Sequence, residues 1–170
     1  MRLREAVSVL AGVAMATLAM TAPLVRGAET VSADDAEVRH YALTMDKAQR
    51  AATALQTINR MVAANPSLNA AMDSSSSTTG KKPITQQAQD IDAKFPQVAV
   101  VIHQNGLATR EFIVVTGALI NDLGWVSMKK NGMVKAYPPG MITAANAALI
   151  EANWPAFQAI AAKITPPSTR

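Results

Sequence analysis

From Tyr41 onward, apolar residues recur at three- and four-residue spacing, the period of a helix with one buried face. Ala48, Ala51, Leu55, Ile58 and Met61/Val62 form the first stripe, with Thr44 placed as N-cap and Asp46 in the first turn. Pro66 disfavours helical geometry at the residue before it, so this helix is predicted to stop at Asn65. A short helical turn is expected over 67–72. Residues 73–83, DSSSSTTGKKP, contain no apolar side chain and read as a flexible loop with nothing to bury.

The stretch 84–115 admits two readings. Val98 to Ile102 and Phe112 to Val115 are apolar runs flanking Asn105-Gly106, a strong hairpin signal. A two-residue turn would set Ile102, Val101 and Val100 opposite Thr109, Arg110 and Glu111, apolar against polar at each position. Helices fit better. One is expected over 85–94; a second starts at Pro96 and closes at Gly106 in a left-handed cap, with Val98, Val101 and Ile102 on one face.

A long helix is predicted over 109–130, about 30 Å in length, with Phe112, Val115, Leu119, Leu123 and Val126 as its buried stripe. Gly117 and Gly124 share one face and predict a close helix–helix crossing. Lys129 and Lys130 complement the dipole of the last turn, and Asn131-Gly132 ends it. Beyond the Pro138-Pro139-Gly140 linker, Thr143 caps a final helix to about residue 163, kinked or split near Asn153 because Pro155 has no N–H to donate. The expected fold is all-α: a single-domain bundle of about five helices over 41–165, after a disordered stretch at 28–40.

The first 27 residues change the picture of what this domain is. Arg2 and Arg4 precede an uncharged run from Ala6 to Met20, and Pro23 then breaks it before small residues, the pattern of an export signal. Cleavage after Gly27 is preferred, because Val25 and Gly27 then occupy the small-residue positions. The competing reading is an uncleaved anchor, since the charge-free run extends to Val25. The chain is thus expected to be exported, periplasmic or secreted. No cysteine is present, so neither a lipid-modified cysteine nor a disulfide framework is available, and stability must come from packing. The formal charge is +4, but removing residues 1–27 leaves 13 basic against 11 acidic residues, interspersed along the chain. That argues against nucleic-acid binding.

Candidate chemistry is thin. His40 and His103 stand apart from any HxxxH, HExxH or ExxH spacing, and no GxSxG or glycine-rich phosphate loop occurs. Asp90 and Asp92 point to different faces of a helix. Glu111 and Asp122 are roughly 16 Å apart along one helix, too far for joint work on one bond. No catalytic, cofactor-binding or metal-ligating residue is assigned, and no cofactor is expected. The polar positions singled out are His103, Arg110 and Glu111. Glu111 lies three residues after Ala108, where a carboxylate satisfies the first amides of a helix, and Arg110 is expected to pair with a carboxylate on a neighbouring helix. Phe112, Leu119 and Trp125 mark the place to look for an apolar cleft. Non-covalent haem held by His103 and one of six mature methionines is a further alternative, against which the scattered methionines read as core filler.

Three segments carry a resemblance: LTMDKAQRAATAL early, NGLATREFIVVTGAL centrally and PPGMITAANAALIEANW late. Together they resemble an uncharacterised family of small exported bacterial all-α proteins. In that family a G-L-[ST]-x-R-E-[YF] element opens the central helix, and an Asn-Pro-Ala-Asn-like element starts the last. Gly106, Leu107, Arg110, Glu111 and Phe112 match the first, and Ala145 and Asn146 the second; Ala108 and Ala144 depart from it. The resemblance implies helices rather than a hairpin, and no activity, cofactor or site. The function expected is a non-enzymatic binding or interaction module for a protein, peptide or small apolar ligand, touching a membrane only if the leader is retained. The alternatives are a haem- or small-ligand-binding bundle and an enzyme with a site around His103 and Glu111.

Overall fold

The computed structural model describes residues 32–79 and 82–164, the side chains of 76–79 apart. The expected export segment at 1–27 lies outside the described residues, as do residues 28–31. Among the described residues every regular element is a helix, and the fold is all-α. There are eight: α1 (Ala33–His40), α2 (Met45–Ala64), α3 (Pro66–Thr79), α4 (Ile84–Lys94), α5 (Pro96–Gln104), α6 (Thr109–Lys130), α7 (Ala144–Ala152) and α8 (Trp154–Ile164).

The central element is α6, against which α1, α2, α4, α5 and α7 all pack, while α8 lies on α2. Its predicted stripe is buried throughout, and Ile113, Val114 and Ala118 are buried as well, so neighbours cover it on several sides. By length and composition α6 is apolar enough to cross a bilayer, yet 56% of that stretch is buried inside the domain. From α2 the core receives Ala48, Ala51, Leu55, Ile58 and Val62, and from α8 Phe157 and Ile160.

Five helices become eight for identifiable reasons. The stretch 28–40, expected to be disordered, is helical from Ala33. Ser32 caps it by accepting from the Asp35 amide at 3.1 Å, Asp34 and Asp35 sit in its first turn, and Arg39 and His40 in its last. Asp34 in turn accepts from the Ile84 amide at 2.9 Å, supplying α4 with the cap that Pro83 cannot. The loop expected at 73–83 is helical as far as Thr79. Asn65 accepts from the Leu68 amide at 3.1 Å to start α3, Leu68 and Met72 anchor it, and Ser74 bonds back to the Ala71 carbonyl at 2.9 Å. The final helix is split at Asn153.

The hairpin alternative does not form. Gly106, at φ +72°, closes α5: its N–H donates to the His103 carbonyl and that of Leu107 to the Ile102 carbonyl. The Arg50 guanidinium lies where a Cβ on Gly106 would stand. The two glycines of α6 behave differently. A Cβ on Gly117 would come within 3.2 Å of Val38, so α1 makes the predicted close crossing there. Gly124 is exposed with open space around it, and the second half of that expectation is corrected.

Candidate functional site

Two of the three sequence-selected polar residues, Arg110 and Glu111, stand in the first turn of α6, each with partners of its own. Glu111, half-buried, accepts from Lys47 Nζ at 2.6 Å and from Tyr41 Oη at 3.2 Å; Lys47 also donates to Tyr41 Oη at 2.8 Å. The ammonium stands 5.4 Å from the Tyr41 ring centroid, within cation–π range. Lys47 holds the Glu111 carboxyl below the usual range, with Tyr41 and the Ala108 backbone amide assisting. Hydrogen bonds to Glu111 and Tyr41 raise Lys47 in return. Arg110 faces the other way and binds Glu37 of α1 through both terminal nitrogens, at 2.7 and 2.6 Å, with Nε on Thr85 at 3.3 Å.

His103 is not part of that group. It is exposed near the end of α5, where its Nε2 lies 3.3 Å from Thr109 Oγ1. Thr109 donates its proton to Asp92 Oδ1 at 2.5 Å, tying the ends of α4 and α5 to the start of α6. A hydroxyl that gives its proton to a carboxylate must accept from the imidazole, so this array has the wrong polarity for a histidine base acting on Thr109. The hydroxyl is also enclosed, Thr109 being only 3% exposed. Phe112 and Leu119 are buried in the core and Trp125 is half-buried, so the first two line no solvent-open groove. Among the described residues no group of three or more His, Asp or Glu side chains comes together as a metal site.

Among the described residues the most enclosed polar group is a pair that no spacing in the sequence predicts. Asp122 and Asn146 are both at or below 1% exposure. Asn146 Nδ2 donates to Asp122 Oδ2 at 2.7 Å and to the Tyr41 carbonyl at 2.8 Å, while its Oδ1 accepts from the Leu43 amide at 3.1 Å. Asn121 Nδ2 donates to Asp122 Oδ1 at 2.9 Å and to the Met141 carbonyl at 2.7 Å. This knot fastens α6, α7, the 41–44 connection and the 131–143 loop together. Burial pushes the Asp122 carboxyl up to about 6, against the opposing pull of the two asparagine amides. A signal existed: Asp122 falls on the apolar stripe, three residues after Leu119 and four before Val126.

A second Tyr–Lys–Glu cluster stands where α6 ends. Glu151 accepts from Lys129 at 2.8 Å and from Tyr137 at 2.5 Å, with Lys129 4.5 Å from the Tyr137 ring centroid. Lys130 lies 5.2 Å from the Trp154 ring centroid.

The described residues thus form an all-α domain in which the polar clusters at the start, middle and end of α6 join helix to helix. Comparison of the chain with protein-family models, characterised proteins and solved structures finds no match.

Proposed function

We propose that this protein is an exported helical interaction module that binds a partner and catalyses no reaction of its own. One observation carries the reading: the residues best suited to chemistry are engaged with one another across helices. Glu111 holds Lys47 and Tyr41, Arg110 holds Glu37, and Thr109 joins Asp92 and His103. None of these sets pairs an open nucleophile with a base or leaves a carboxylate pair at catalytic spacing. Arg110, Glu111 and Asn146, from the short motifs that resemble those of small exported all-α proteins, fall at interhelix ties.

The test is isolation of the protein from its native source, followed by native mass spectrometry, an absorbance scan and N-terminal sequencing. The expected result is a chain starting after residue 27 that retains a non-covalent partner or ligand and shows no Soret band. A Soret band, or turnover abolished by both His103→Ala and Glu111→Gln, would overturn the reading.

A further inference from the structure

We infer that the C-terminal end of α6, with the loop after it, docks on an anionic lipid surface. This names a partner class for the interaction module proposed above and rests on that reading.

Two helices end in the same backbone arrangement. At α5, Gly106 donates to the His103 carbonyl at 2.9 Å and Leu107 to that of Ile102 at 3.4 Å. At α6, Gly132 donates to the Lys129 carbonyl at 3.0 Å and Met133 to that of Met128 at 2.9 Å. In such caps the residue after the glycine commonly covers the last turn with an apolar contact. Leu107 is 3% exposed, whereas Met133 in the corresponding place is 69% exposed. Beyond the left-handed Gly132, at φ +71°, the apolar side chain of Met133 stands in solvent.

Its neighbours along the chain are cationic. Lys129 and Lys130 precede it and Lys135 follows. Residues 123–164 contain four lysines and a single acidic residue, Glu151, whereas 32–122 are nearly balanced with eight basic and nine acidic residues. Glu151 is already held by Lys129 and Tyr137. Two amphipathic rings, Tyr137 and Trp154, stand beside the lysines at 4.5 and 5.2 Å. An exposed apolar side chain on a lysine-rich segment, with Tyr137 and Trp154 packed beside two of those lysines, matches the layers of a bilayer face, with phosphates outside and acyl chains within. A purely acidic polypeptide would satisfy the lysines but offer exposed Met133 no apolar contact.

The test mixes the full chain with vesicles of phosphatidylethanolamine plus phosphatidylglycerol and, separately, of phosphatidylcholine, and reads amide exchange across 128–141. Reading that segment separates docking here from attachment through residues 1–27. Exchange is expected to slow on the anionic vesicles alone, and less so as salt rises. Lys130→Gln with Lys135→Gln should raise the lipid concentration needed for half-protection by about thirtyfold, at roughly 1 kcal/mol per lysine. Met133→Asp should abolish the protection with circular dichroism unchanged. Unaltered exchange at 128–141, equal protection on phosphatidylcholine, or a Met133→Asp variant protected like its parent overturns the inference. Protection that grows with protein concentration without vesicles assigns the surface to a second copy. Equal protection by polyglutamate assigns it to an acidic protein. Both outcomes sink the lipid reading and leave the interaction-module reading standing.

Discussion

The middle of α6 and its two ends use carboxylates in opposite ways. At the ends, Glu111 and Glu151 are half-exposed, each faces a lysine, and each is held below the usual carboxylate range by that ammonium. In the middle, Asp122 is fully buried and faces only amides, and burial pushes it up to about 6. Hydrogen bonds are abundant in both regions, so their number does not set the sign; access to water and the charge of the partner do. The ends also mirror each other. α6 supplies the carboxylate where its dipole is positive and the ammonium where it is negative, and each cluster enlists one of the chain's two tyrosines.

The largest break in this comparison is Asn146→Ala. It leaves Asp122 Oδ2, the Leu43 amide and the Tyr41 carbonyl without the partner they share, and should lower unfolding stability by about 4 kcal/mol in urea titrations. Next comes pH. The folded state holds the Asp122 proton more tightly than the unfolded chain does. Its contribution is therefore fully present below the ordinary value of 3.8 and is lost as pH rises to about 6. That shift corresponds to about 3 kcal/mol. Asp122→Asn, which cannot ionise, should flatten melting temperature against pH between 4 and 6. An unchanged slope in that variant would show that Asp122 is not the titrating group.

Effects at the ends should be smaller, with a pH dependence of opposite sign. Glu111→Gln is expected to cost under about 1 kcal/mol and less still at high salt, altering the slope only toward the acid end of the pH 4–6 range. Because its carboxyl is depressed, the contribution of Glu111 is lost only as pH falls below the ordinary 4.5. Smallest is Gly124→Ala, between the knot and the C-terminal cluster. With open space around that position, the change should raise stability by about 0.5–1 kcal/mol in thermal melts. The same change at Gly117 meets Val38 and should gain nothing.

Wherever apolar period and punctuation coincide, the sequence anticipates the fold. Thr44 and Thr143 cap the helices expected of them, Pro96 opens α5, and Gly106 closes it. What escapes is structure held by polar pairs distant in sequence. α1 has no buried residue of its own, so no stripe announces it; its order comes from Ser32, Glu37 on Arg110 and Val38 on Gly117. Asp122 and Asn146 are 24 positions apart, and their pairing is set by how α7 returns to α6. Of the candidate positions, Arg110 meets a carboxylate on another helix as anticipated, and Glu111 exceeds its expected capping role by recruiting Lys47.

The thinness of α1 has a dynamic consequence. Lifting this helix breaks the Arg110–Glu37 pair, uncaps Ile84 and uncovers Gly117, and takes from the edge of the core only the half-buried Val38. Local opening free energy follows the apolar surface an element takes with it, so α1 is the clasp that releases long before the domain melts. Each release bares the glycine face of α6 and the first amides of α4 while the Asp122 knot stays shut. A second surface is thereby expected to be exposed transiently, its opening set jointly by the Arg110–Glu37 pair, the Asp34 cap on Ile84 and the Val38 contact on Gly117.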